Sequence, residues 1–284
     1  MRRELLALLV VPLLLLAGWF GYQTLFGEDR SGVLTLVDVQ GEVSHERPKE
    51  RHGARAGDEV RAGERLEAGP DGSAVLTLGE DTRLILKADS SMRVVSVAED
   101  GVKVALDHGR VQATVRPGGA PVGVRAGDGE VLAQDADVTV ARGDDGTVGV
   151  ETTRGTVGLS GFGGVTQARA GERVVAPPGR AARVAASSEA LLLSLAPPPS
   201  VRTAAPRAAV VGTTEPGARV RVTAAGRTQE VRADVEGRFS VAVDLIEGRN
   251  AVVVEATGVL GGETRADWSV ERDTEAPPIQ IEIH

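Results

Sequence analysis

Histidines and carboxylates are the side chains in this sequence that could hold a metal or move a proton. The chain has four histidines, His45, His52, His108 and His284, and no two of them fall at a His-x-x-x-His spacing or in a tight ligand cluster. They read as surface or turn residues, with His108, beside Gly109, the one placed to matter for structure. Acidic residues pair up at Asp135 with Asp137, Asp144 with Asp145, and Asp234 with Glu236. Oxygen atoms so grouped can bind calcium, yet none follows the spaced ligand loop of an EF-hand. A turn aspartate bonded to its own backbone explains each of them.

Nucleophilic chemistry is equally hard to find. The chain has no cysteine, which excludes disulfides, thiol catalysis and thiolate-bound metals. Gly161-Phe162-Gly163-Gly164 lacks the Gly-Lys-Ser/Thr ending of a phosphate loop. No Gly-x-Ser-x-Gly elbow occurs, and no serine can be matched with a His and Asp set. Arg142-Gly143-Asp144 spells an adhesion tripeptide, but it belongs to a hairpin-turn sequence and carries no functional weight. The sequence predicts a protein that is not an enzyme, with no catalytic residues, no metal ligands and no cofactor.

Stacking on aromatic rings is another route to a ligand. The chain has two Trp, one Tyr and four Phe. Trp19, Phe20, Tyr22 and Phe26 lie near the N-terminus, which leaves Phe162, Phe239 and Trp268 for everything else. Phe239 reads as an inward strand residue, so Trp268 and Phe162 are the candidate ligand contacts. Single-stranded nucleic acid needs stacking platforms and a basic groove. With so few rings and a net charge of -8, nucleic acid is excluded as a partner. Peptidoglycan or another polysaccharide stays open as an alternative ligand.

The elements that would carry these residues begin with an anchor. Leu5 to Phe26, with Leu16 at its middle, is an apolar run free of charged residues. At about 1.5 Å per residue such a helix reaches roughly 33 Å, enough for a bilayer core of about 30 Å. Arg2 and Arg3 precede it, and Glu28, Asp29 and Arg30 follow, which puts the short end in the cytoplasm. Trp19, Phe20, Tyr22 and Phe26 suit a membrane interface. An apolar core this long favours an uncleaved anchor over a removed signal peptide. The expected location is the bacterial inner membrane, single-pass, with the bulk of the chain in the periplasm.

Beyond Gly27 short alternating runs replace any helical period. Ala74, Leu76 and Leu78, then Val102, Val104 and Leu106, then Val111, Ala113 and Val115 each mark one side of a half-buried strand. Glycine- and aspartate-rich turns separate them, among them Gly69-Pro70-Asp71-Gly72, Asp100-Gly101, His108-Gly109 and Gly143-Asp144-Asp145-Gly146. The fold class is all-β after the anchor. Leu191 to Leu195 reads as a last strand or short buried segment. Pro197-Pro198-Pro199 then forms a stiff linker. A second alternating set follows, over 208–213, 219–224, 228–233, 238–243, 250–256 and 264–270, and suits a small Greek-key sandwich. The expected organisation is a cytoplasmic stub and anchor over 1–27, a β domain over 28–195, a linker over 196–207, a β-sandwich over 208–273 and a tail over 274–284.

Two resemblances sharpen this. Ala56-Gly57-Asp58-Glu59-Val60, Gly63-Glu64-Arg65-Leu66-Glu67-Ala68-Gly69, Gly72 to Leu78, Thr82 to Leu86, Val104 to Val111 and Gln167 to Glu172 stand in the order seen in the FecR domain of bacterial envelope proteins. The stretch Arg55 to Ala176 resembles that domain, which implies a solenoid-like or flattened two-sheet β fold. It departs where Asp137-Val138-Thr139-Val140 replaces the usual Gly-Thr-x-Phe. Gly212 to Val220, Asp234 to Ser240 and Glu247 to Asn250 resemble bacterial immunoglobulin-like modules. Well-known FecR-domain proteins carry a cytoplasmic anti-sigma segment, whereas only Met1 to Glu4 stand before the apolar run here. The expectation is therefore a membrane-anchored periplasmic scaffold or adaptor, with an envelope protein as partner, in envelope assembly or signalling. Cell-wall or polysaccharide binding is the alternative.

Overall fold

The computed structural model describes residues 32–48, 50–98, 100–187, 191, 193–196 and 202–274. The predicted anchor, with Leu5, Leu16, Trp19, Phe20, Tyr22 and Phe26, lies outside the described residues, as do Pro197-Pro198-Pro199 and the tail from residue 275. Every regular element among the described residues is a β-strand. None of them contains a helix long and apolar enough to cross a membrane.

The chain forms two compact units: one runs to Arg142 and includes Val150–Glu172, and the other takes Gly143–Gly149 and the chain from Arg173 onward. The first unit opens with β1 (Leu34–Gln40), β2 (Val43–Arg47), β3 (Glu50–Gly53), β4 (Glu59–Val60) and β5 (Arg65–Ala68). Next come β6 (Ser73–Leu78), β7 (Thr82–Leu86), β8 (Ser90–Ala98) and the long β9 (Gly101–Val115). β10 (Val122–Ala126), β11 (Gly129–Ala133), β12 (Asp137–Arg142), most of β13 (Val148–Arg154), β14 (Thr156–Phe162) and β15 (Val165–Arg169) follow.

β9 organises this unit. Its first half pairs with β8 and, in parallel, with β10. Its second half pairs with β7 and β12, in a different sheet. The inward residues Val102, Val104 and Leu106 are even-numbered, while Val111, Ala113 and Val115 are odd-numbered, and all six are buried. A straight strand would send one of these sets to solvent, because successive side chains alternate faces. Gly109, at φ 86°, supplies the kink that keeps both sets inside. A Cβ there would lie 2.2 Å from Ser90 Oγ and 2.4 Å from Asp89 O. Ser90, itself buried, braces the bend by accepting the Arg110 N–H at 2.8 Å and donating to Ala88 O at 2.9 Å. The expected turn at His108-Gly109 is thus a bend within one strand, not a reversal.

One sheet therefore runs β4-β1-β6-β7-β9-β12. The other runs β3-β2-β5-β8-β9-β10-β11-β14-β15. Leu36, Leu76 and Leu84 from the first sheet and Leu66, Met92 and Val104 from the second have no exposed surface. An aliphatic core of this kind is what a sequence so poor in rings must build.

The second unit holds most of β16 (Glu172–Ala176), then β17 (Arg183–Ala186), β18 (Ser194–Leu195), β19 (Arg202–Thr203) and β20 (Arg207–Thr213). β21 (Arg219–Ala224), β22 (Arg227–Arg232), β23 (Arg238–Asp244), β24 (Gly248–Thr257) and β25 (Glu263–Arg272) complete it. Its sheets order as β18-β20-β23 and β19-β25-β24-β21-β22. Val210, Phe239, Val241 and Val243 of the smaller sheet share one core with Val220, Val222, Val252 and Val254 of the larger. Leu191 also belongs to this core. Arg173 and the described residues that follow it belong to this unit.

Candidate functional site

The β2–β3 hairpin brings two of the four histidines together. β2 and β3 pair antiparallel with His45 opposite His52, and residues facing each other across a ladder have neighbouring side chains. Their ring centroids are 5.0 Å apart at an interplanar angle of 45°. His45 is completely buried, and its Nε2 lies 2.7 Å from Oε2 of Glu64. An ionised carboxylate offers only lone pairs, so Nε2 carries the proton and donates it. Glu64 Oε2 is further fixed by the Arg61 backbone N–H at 3.0 Å, and Arg47 Nε lies 3.6 Å from Oε1.

Asp58 closes the group from the turn before β4. Its Oδ2 accepts the Arg55 N–H at 2.9 Å and sits 3.7 Å from His52 Nε2. One ligand atom each from His45, His52 and Asp58 lie within 4.8 Å of one another. The Nδ1 atoms of both histidines are buried and have no hydrogen-bond partner among the described residues. Sequence spacing hides this cluster, because His45 and His52 meet only through the pairing of β2 with β3.

His108 lies elsewhere, opposite Ser91 at the β9 kink. His284 is outside the described residues.

The acidic turns are occupied by the protein's own donors. Arg154 binds Asp135 Oδ1 at 2.9 Å and Asp137 Oδ2 at 3.0 Å, and donates to Val115 O at 2.7 Å. Its hydrogen bond to Asp137, then that to Asp135, raises the Arg154 pKa. Asp144 meets Arg232 at 2.8 Å, and Asp145 accepts from the Thr147 hydroxyl and backbone N–H. Asp234 accepts the backbone N–H groups of Arg238 and Glu236, and the first of these bonds chiefly lowers its pKa. Arg142 of the adhesion-like tripeptide donates to the Asp107 carbonyl at 3.2 Å.

The two candidate stacking rings differ. Phe162 is 3 % exposed, and its ring covers Gly129, where a Cβ would come within 2.5 Å of it. It is a core residue and presents no open face. Trp268 is half-buried against the sandwich core, and its Nε1 is buried without a partner among the described residues.

Comparison with known proteins places part of this chain in context. Residues 64–158 match the family described as FecR protein. Two crystal structures of a candidate anti-sigma factor from Parabacteroides distasonis are similar at 20 % and 19 % identity, each with a TM-score of 0.38. Each of those alignments covers 43 % of this chain and 59 % of the other, so less than two thirds of that protein is spanned. A Ca2+-stabilised adhesin with which an Antarctic bacterium binds ice is similar at 14 % identity and a TM-score of 0.23, over 85 % of this chain and 67 % of the other. No curated protein matches the chain. Glu64 falls inside the FecR match, and His45, His52 and Asp58 precede it.

Proposed function

We propose that this protein is a non-catalytic adaptor of the bacterial cell envelope, tethered to the inner membrane by residues 1–27. In this reading it presents a FecR-like β unit and an immunoglobulin-like β-sandwich in the periplasm to a protein partner in signalling or envelope assembly. The observation that carries the proposal is the FecR match over residues 64–158, which takes in β5 through β13 and so includes the β9 kink between the two sheets. Binding modules of this class need no acid, base and nucleophile set.

Recognition through a sheet edge suits such modules, because an extended partner segment can add a strand by main-chain hydrogen bonds. β22 offers such an edge. It is outermost in its sheet, pairs with β21 alone in that sheet, and exposes Arg227, Thr228, Gln229 and Glu230. The test is chemical crosslinking in intact cells followed by identification of the captured proteins, with a compartment reporter fused at the C-terminus. The proposal expects an envelope protein enriched over background and a periplasmic reporter signal. A cytoplasmic signal, or no enriched envelope protein, overturns it.

A further inference from the structure

We propose that His45, His52 and Asp58 form a binding site for a divalent transition-metal ion of the zinc class, with Glu64 as the residue that orients His45. The argument starts from the proton on His45. Because Nε2–H is committed to Glu64 at 2.7 Å, Nδ1 carries the ring's free lone pair. That atom is buried and meets no donor among the described residues. A fully buried imidazole kept in one tautomer, with its other nitrogen free, is the arrangement a metal ligand requires. The carboxylate on the far nitrogen is the usual outer-shell partner.

The surrounding groups fit. His52 faces His45 from the opposing strand and also holds a buried, unpartnered Nδ1. Asp58 is held by the Arg55 N–H at 2.9 Å, which keeps its carboxylate beside the two histidines. One nitrogen of each histidine and one Asp58 carboxylate oxygen lie within 4.8 Å of one another, against roughly 3.3 Å between ligands in a tetrahedral shell of about 2.0–2.1 Å bonds. Small rotations of the half-buried His52 and Asp58 side chains would close that gap, while His45 stays in place. Two imidazoles and one carboxylate select zinc, cobalt, nickel or copper over calcium and magnesium, which prefer oxygen-only shells. Three protein ligands leave a fourth position for water or a partner's side chain. The negative charges of Asp58 and Glu64 offset the cation.

The test titrates the full chain, in detergent, with Zn2+ alone and reads imidazole 15N resonances together with calorimetric affinity. Before metal is added, His45 is expected protonated at Nε2 and bare at Nδ1. Zn2+ should then bind at one equivalent and shift the His45 Nδ1 resonance. His52→Ala and Asp58→Asn should each weaken binding at least about tenfold, and Glu64→Gln by about 10- to 100-fold. His108→Ala should leave it unchanged. The spectra of the unmodified chain need no variant, and Asp58→Asn decides if His52→Ala fails to fold. Absence of saturable Zn2+ binding, a protonated Nδ1 on His45 in the metal-free chain, or equal affinity in Asp58→Asn and His108→Ala overturns the site.

Discussion

Glu64 accepts a 2.7 Å hydrogen bond from His45, a side chain with none of its surface exposed. The two are 19 residues apart, so the bond ties the β2–β3 hairpin to the approach to β5. Removing the carboxylate strands a buried Nε2–H, which costs about 1–3 kcal/mol. Glu64→Ala is expected to lower the free energy of unfolding by that amount in urea. Glu64→Gln keeps an acceptor oxygen and should cost less than half as much.

The β9 kink makes a second, separate prediction. Gly109→Ala needs positive φ from an alanine and pushes its Cβ into Ser90 and Asp89. Strain and displacement together should cost about 2–4 kcal/mol. Gly57 also has positive φ, at 93°, but a Cβ there meets nothing within 4 Å. Gly57→Ala should cost only about 1–2 kcal/mol. Equal denaturation midpoints for the two variants would contradict the kink's role.

In the second unit Arg173 and Glu215 form a direct ion pair with 12 % and 9 % of their side chains exposed. Burial raises the Glu215 pKa, and the Arg173 charge pulls part of that shift back. A carboxylate whose pKa is raised on folding contributes stability below the ordinary glutamate range. That contribution is lost as pH climbs through the folded value. Arg173→Met leaves an ionised Glu215 buried without its cation, with only the Val259 backbone hydrogen bond, and should destabilise by about 3–5 kcal/mol at pH 7. The loss should shrink in acid, where Glu215 takes up a proton. Adding Glu215→Gln should recover part of it at pH 7, which thermal unfolding across pH would show.

Asp244 behaves in the opposite sense. The Arg207 side chain, hydrogen-bonded at 2.8 Å, does most to hold its pKa below the usual aspartate range, with Arg227 at 2.9 Å adding to it. Its contribution to stability is therefore present above that range and lost as pH falls through the lowered value. Carboxyl-carbon NMR titration should find Asp244 below the chain's unpaired aspartates. In Arg207→Ala it should move up towards them.

How far the sequence reveals this structure depends on the range of the contacts. Strands such as β21, β23 and β24 were legible because each keeps one side inward, as Phe239, Val241 and Val243 do, and the observed ends from β20 to β25 differ by no more than two residues, whereas β22 exposes both faces over its first four residues. The β9 bend was half legible. The change from even to odd apolar positions between Leu106 and Val111 is in the sequence, but glycine alone does not distinguish a kink from a reversal. The histidine pair escaped because sequence spacing says nothing of strand register. The ion pair of Arg173 with Glu215 escaped for a similar reason, since it spans 42 residues and no local pattern encodes a contact that distant.

The adaptor account is tested most directly by a photo-crosslinking amino acid at Thr228, on the exposed edge of β22, in the full chain in living cells. A buried probe at Val222 serves as the control. The account predicts a discrete, light-dependent adduct with an envelope protein from Thr228 and none from Val222. A folded, expressed chain that gives no adduct at Thr228 would contradict it.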